Sequence, residues 1–81
     1  MRKGAKTMKI GKYTAVILDE DEGFISLCPD LDIASQGDTV EEALVNLKEA
    51  VGLFLEFAPE EEVLRREHQS IFVTQFEAVL S

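Results

Sequence analysis

The stretch Gln36-Gly37-Asp38-Thr39-Val40-Glu41-Glu42-Ala43-Leu44 marks a change from extended structure to helix. Gly37 interrupts the extended segment before it. Thr39, followed three residues later by Glu42, predicts a capping box in which two side chains satisfy unpaired backbone N–H groups. We therefore expect a helix to begin at Val40 and to cover a sheet formed by the residues before Gly37.

The residues after Val40 have the periodicity of an amphipathic helix. Apolar side chains recur at intervals of three and four residues, at Val40, Ala43, Leu44, Leu47, Ala50, Val51, Phe54 and Ala58. Val45 and Leu53 fall outside this stripe, and we expect them to be exposed. Pro59 predicts the end of the helix, because proline lacks the N–H group that a helix interior needs.

Three strands are predicted before the helix. Residues 13–18 are rich in aromatic and β-branched side chains, residues 19–23 form an acidic turn ending in glycine, and residues 24–28 return as a second strand. Pro29 interrupts the hydrogen-bonding ladder, and residues 31–36 are predicted as a short third strand. Beyond the helix, residues 59–68 favour a short connector helix, and residues 70–80 favour a long final strand. The predicted fold is α+β, with the order β-β-β-α-β, one antiparallel-type sheet and one main helix on one face.

The charge of the chain is unevenly distributed. The 81 residues carry a formal net charge of −8, but five of the eight basic residues precede residue 13. Residues 13–81 hold three basic and sixteen acidic residues, a net charge of −13. We therefore expect a basic tail over residues 1–12, a single acidic domain over residues 13–81, and no tight binding to nucleic acid. The acidic surface fits either solubility or docking of a basic partner.

Sequence features give no sign of catalysis or of a bound cofactor. Cys28 and His68 are the single cysteine and the single histidine, too few for a usual zinc site. The four carboxylates at 19–22 lack the alternating spacing of a calcium loop. We predict neither an enzyme nor a metal or cofactor site. No apolar run is long enough to span a membrane, and no secretory signal is evident, so a cytoplasmic protein is expected.

Several short motifs resemble the HicB-like antitoxin family over residues 13–57. They are Tyr13-Thr-Ala-Val-Ile17, the acidic turn ending at Gly23, Cys28-Pro29-Asp30-Leu31, Ser35-Gln36-Gly37-Asp38-Thr39 and Glu41-Glu42-Ala43-Leu44. The resemblance implies a partial ribonuclease-H-like fold without the catalytic carboxylates, and direct neutralisation of a small, basic, RNA-cleaving HicA-type toxin. Full-length members also carry a DNA-binding module after this domain. The sequence ends at Ser81, so operator binding is not expected of this chain.

The toxin hypothesis assigns a set of acidic residues to the partner surface. These candidates are Asp19, Glu20, Asp21, Glu22, Asp30 and Asp32. One alternative is a self-associating HicB-like domain without a toxin. A less favoured one is a ribonuclease-H-like nuclease in which Asp19, Asp21, Asp30 or Asp38 hold magnesium.

A homodimer is also predicted, because one helix covers only one face of a sheet. Residues 16–18 and 71–73 place apolar side chains on both faces, which is typical of strands buried on both sides. We expect the C-terminal strand to contribute to the dimer interface through Phe72, Phe76 and Val79. In the alternative, the connector helix covers the open face with Val63 and Leu64.

Overall fold

Three antiparallel strands and two helices make up the fold. The computed structural model describes residues 11–67 and 70–80. The strands are β1 (Val16–Glu20), β2 (Gly23–Cys28) and β3 (Ile33–Gly37), paired in the order β1-β2-β3. The helices are α1 (Val40–Phe57) and α2 (Glu60–Arg66). The α+β class and the antiparallel sheet are as predicted. Residues 1–10 of the tail predicted over 1–12, and His68, lie outside the described residues.

The hairpin of β1 and β2 is tighter than predicted. Glu20 pairs with Gly23, so the turn contains only Asp21 and Glu22. Gly23 has a φ of 148°, a value that side chains disfavour, and a Cβ there would lie 2.8 Å from the carbonyl oxygen of Gly37. Glycine is therefore required both by the turn and by the close approach of β3.

The first strand begins later than the predicted residue 13. The Thr14 N–H donates to the Asp30 carboxylate over 3.0 Å instead of to a strand partner. The Thr14 hydroxyl lies 3.3 Å from the other oxygen of the same carboxylate. A side chain sixteen residues away thus replaces the strand ladder before Val16.

The third strand also begins later than predicted, at Ile33. The Leu31 N–H donates to the Cys28 carbonyl over 3.2 Å, and Asp32 has a left-handed φ of 58°. This geometry makes residues 29–32 a turn. Leu31, predicted to start the strand, instead points inward and is fully buried.

The main helix has the predicted bounds. Thr39 is its N-cap, and the Thr39 hydroxyl accepts the Glu42 N–H over 3.0 Å. The Glu42 carboxylate accepts the Asp38 N–H over 2.7 Å, one residue before the partner that a standard capping box uses. The helix ends at Phe57, two residues before Pro59.

The core is small and lies between α1, β2 and the turn after β2. Its buried apolar residues are Cys28, Leu31, Leu47 and Val51, with Ile33 and Phe54 packed against them. Ala43 is also buried, whereas Val40, predicted for the stripe, is exposed at the first position of the helix. Val45 and Leu53 are exposed, as predicted.

Small residues bring α1 very close to the sheet. A Cβ on Gly37 would lie 2.5 Å from the Ala43 nitrogen. The buried Ser26 hydroxyl on β2 donates to the Ala43 carbonyl over 2.8 Å. A larger side chain at any of these three positions would force the helix away from the strands.

The second helix lies at the end of the sheet where residues 29–32 turn. The Arg66 guanidinium is 4.9 Å from the centre of the Phe54 ring and donates to the carbonyls of Leu31 and Asp32. It also pairs with Glu62. The alternative in which Val63 and Leu64 cover the open face of the sheet is therefore wrong, and Leu64 is 63% exposed.

The prediction of a fourth strand at 70–80 is wrong for the single chain. These residues are described, but they pair with none of the three strands. Strand propensity reports a side chain's fit to a sheet and does not supply the neighbouring edge that a strand needs. The composition of residues 70–80 is that of a strand, but composition does not indicate which sheet edge such a strand would pair with.

The face of the sheet opposite α1 is mostly apolar. Ser26 points toward α1, so the alternate positions of the paired strands point away from it. The register places Glu20 and Gln36 at the end near the β1–β2 turn and apolar residues over most of this face: Val16, Leu18, Ile25, Leu27 and Ala34. Within residues 11–67 and 70–80, no helix covers this face, and neither α1 nor α2 is long and apolar enough to span a membrane.

We expect Leu47→Ala to lower the free energy of unfolding by about 2–5 kcal/mol, because it leaves a cavity under α1. Val45→Ala on the exposed side of the same helix should change it by less than about 0.5 kcal/mol. Urea denaturation of both variants measures the difference. Equal stabilities would mean that α1 does not pack on the sheet through Leu47.

A pair of glycine substitutions tests the close approach of α1. Gly37→Ala should destabilise the protein by about 1–3 kcal/mol, because the new methyl group meets the helix backbone. Gly52→Ala should stabilise it by about 0.5–1 kcal/mol, since its Cβ has nothing within 4 Å and alanine favours helix. Thermal unfolding at equal protein concentration compares the two, and a neutral Gly37→Ala would contradict the described contact.

Candidate acidic binding site

Four carboxylates surround a cleft at the end of the sheet that carries the β1–β2 turn. We call this the acidic cleft, lined by Glu20, Glu22, Asp38 and Glu42. Its volume is ≈ 380 Å³, and its remaining lining is mostly backbone and uncharged side chains, including Gln36 and Asn46. The cleft therefore presents negative charge from two separate parts of the chain.

The pairing of β2 with β3 brings these parts together. Phe24 pairs with Gly37, so the turn before β2 lies beside the start of α1. Asn46 on α1 fixes this arrangement from the other side, because its amide donates to the Gln36 carbonyl over 2.7 Å. The helix N-terminus favours the nearby acidic side chains, since its backbone N–H groups carry partial positive charge.

The six predicted partner-facing residues separate into two groups. Asp19, Glu20, Asp21 and Glu22 lie at the β1–β2 turn and are exposed. Asp30 and Asp32 lie in the turn at the other end of β2. A strand of six residues is about 17 Å long at ~3.4 Å per residue, so the two groups do not form one patch.

Asp30 has partners inside the protein. Its carboxylate accepts the Thr14 N–H and lies 3.6 Å from the Cys28 sulfur. These contacts tie the segment before β1 to the turn after β2. Asp32 holds the left-handed position of the same turn, and its carbonyl accepts from Arg66.

Sequence reasoning missed two members of the acidic cleft. It assigned Glu42 to helix capping and considered Asp38 only as a magnesium ligand. The available signal was the strand order, because a three-stranded meander places the first turn beside the end of the third strand. Reading the turn and the helix start together would have identified both residues.

The acidic cleft contains only two kinds of polar side chain. Among its lining residues, carboxylates and amides are the polar side chains, with no hydroxyl, thiol or imidazole. Over the described part of the chain, no three His, Cys, Asp or Glu side chains are grouped so that they could hold a metal ion. Such a surface can accept hydrogen bonds from cationic groups, such as lysine and arginine side chains of another protein.

Cys28 lies far from this cleft, in the core. Burial raises the pKa of its thiol above the ordinary value of 9.0, and the Asp30 carboxylate adds to the shift. Burial also raises the pKa of Tyr13, with a further contribution from Glu67. A protonated, buried thiol is a poor nucleophile, so Cys28 has a structural role.

Comparison with known proteins gives no further assignment. No protein-family model matches this chain, and no curated protein or solved structure matches it. The fold and the cleft define a small α+β protein with a carboxylate-lined cleft at one end of its sheet.

We expect Cys28 to react with a disulfide reagent at least about tenfold more slowly in the native protein than in denaturant at pH 8. The native rate should still be rising at about pH 10, where a free thiol with the ordinary pKa of 9.0 is already mostly ionised. Folding stability should fall over the same range, because the unfolded thiol loses its proton at a lower pH than the folded one. A native rate equal to the denatured rate would show that the thiol is exposed.

Proposed function

We propose that this protein is a HicB-like, antitoxin-like binding protein. It neutralises a small, basic, RNA-cleaving HicA-type toxin in the cytoplasm by direct association, and it has no catalytic activity of its own. The support is the resemblance of residues 13–57 to the HicB-like family, together with the carboxylates gathered at the acidic cleft. The partial ribonuclease-H-like arrangement of that family is part of the proposal.

The acidic cleft carries the proposal because of its charge chemistry. A toxin that cleaves RNA must bind phosphates through basic side chains, and carboxylates can occupy those side chains in place of phosphate. Glu20 and Glu22 on the hairpin, with Asp38 beyond β3, present oxygens from two directions. Asp19 and Asp21 extend the negative surface along the same turn. Asp30 instead accepts hydrogen bonds from Thr14 within the protein.

Charge also favours rapid association. Residues 13–81 carry a net charge of −13, and a basic partner would be attracted from a distance of about a Debye length, ~8 Å at physiological salt. Attraction of this kind raises the association rate more than it slows dissociation. The same charge opposes direct binding of RNA or DNA by the described domain.

Reversing charge at the hairpin tests the acidic cleft. We expect Glu20→Lys combined with Glu22→Lys to slow association with the basic toxin at least about tenfold and to weaken the salt dependence of that rate. The matched control is Glu49→Lys combined with Glu56→Lys, which makes the same change of net charge on exposed positions of α1. Stopped-flow mixing at several salt concentrations measures the rates.

The partner itself is sought by affinity capture of the protein at endogenous level, with identification by mass spectrometry. The expected result is co-purification of one small basic protein whose ribonuclease activity is inhibited when the two are mixed. Recovery of this protein alone, or equal slowing by the hairpin and α1 variants, would contradict the proposal.

A further inference from the structure

The C-terminal arm, residues 72–80, is an extended apolar segment outside the folded body. Phe72 is 89% exposed, Phe76 is 87% exposed and Val79 is 98% exposed. Isolated exposed apolar residues are ordinary, but consecutive exposed aromatic and aliphatic side chains are typical of an interaction segment. Glu77 is the single charged residue of the arm.

A complementary apolar groove lies beside the segment that leads into β1. This lateral groove, between α1 and residues 11–15, has a volume of ≈ 400 Å³. It exists because α1 packs mainly on β3 and β2 and leaves β1 little covered. Its apolar lining comprises Tyr13, Ala15, Cys28, Leu44, Leu47, Val51 and Leu55.

The arm has the side-chain alternation that this groove requires. In an extended strand, Phe72, Phe76 and Leu80 point to one side, together with Thr74 and Ala78. That side is apolar except for one hydroxyl and would face the underside of α1. The other side carries Val73, Gln75, Glu77 and Val79, and it would continue the open face of β1.

The backbone of β1 can also accept a further strand. β1 is at one edge of the three-stranded sheet, so one row of its backbone N–H and C=O groups faces no strand of the described chain. The acidic cleft, which would repel Glu77, lies at the far end of the hairpin.

The geometry favours a second copy as the occupant. Ser70 and Ile71 line a small pocket with Gly11, Lys12 and Tyr13, so the arm leaves the body beside the segment that precedes β1. Beyond this point it runs into solvent and not along its own groove. Because one surface carries both the arm and the groove, a two-fold arrangement fills two grooves with two arms.

The area is sufficient for such a pair. Each aromatic side chain can bury about 150–250 Å², so Phe72 and Phe76 supply about 260–440 Å² per chain at their exposure. Val73, Val79 and Leu80 bring the arm toward the ~800 Å² per partner of a stable interface. A core as small as this one gains correspondingly from the added burial.

We propose that two copies of this chain exchange their C-terminal arms, each arm adding a fourth strand to the β1 edge of the other copy and filling its lateral groove. The exchange would complete the β-β-β-α-β arrangement that the single chain lacks. It is independent of the toxin proposal, because it concerns the protein by itself.

Light scattering on the full chain tests the exchange. The expected mass is twice 9.0 kDa at micromolar concentration, with slow amide hydrogen exchange over residues 72–80. Phe72→Ser combined with Phe76→Ser should weaken the dimer at least about a hundredfold and leave the circular dichroism of the body unchanged. Phe57→Ser is the matched control, since Phe57 is also exposed but lies outside the groove, and it should leave the mass unchanged.

A substitution in the groove tests the same contact from the other copy. Leu55→Asp, at a partly exposed groove position, should dissociate the dimer as the arm variant does. A monomer with protected arm amides would place the arm in the chain's own groove and overturn the exchange. A monomer with unprotected arm amides, or a dimer that survives both the arm and the groove variants, would overturn it equally.

Discussion

The contact between the end of β3 and the first turns of α1 determines the rest of this structure. Gly37 has no side chain to separate it from the Ala43 backbone, and Ser26 donates its hydroxyl to the Ala43 carbonyl at 2.8 Å. Such a contact fixes the distance between helix and sheet, because interiors pack too densely to absorb an extra methyl group. It also centres α1 over β2 and β3 and leaves β1 at the margin.

Two surfaces follow from this position of the helix. At the N-terminal end of α1, Asp38 and Glu42 lie beside the hairpin acids, so negative charge accumulates there. Along the flank of α1, the marginal position of β1 leaves an apolar groove. The charged surface and the apolar surface thus lie on different parts of a very small body.

Local chemistry explains what could be predicted from sequence. The bounds of α1 depend on Thr39, Glu42 and Pro59, whose effects act within four residues, and these bounds were predicted correctly. The strand limits depend on longer range contacts: Asp30 holds Thr14 from sixteen residues away, and Leu31 turns inward to fill the core. No periodicity within a strand reveals such contacts.

The acidic cleft and the C-terminal segment also depend on contacts between residues that are distant in sequence. Acids that are neighbours in sequence were correctly placed at one turn, but Asp30 was assigned to the same surface although the length of β2 separates it from that turn. Asp38 and Glu42 joined the cleft only through strand register. Residues 70–80 have the composition of a strand, yet whether a strand forms depends on an available edge, which composition does not encode.

The pocket shared by Gly11, Tyr13, Asp30, Ser70 and Ile71 shows that residues 11–13 and residues 70–71 meet at one corner of the body. That corner lies at the opposite end of β2 from the acidic cleft. Because these two segments are neighbours, a short linker could join them. New chain ends could then be opened in the β1–β2 turn. Such a circularly permuted protein would keep every strand pairing of the sheet.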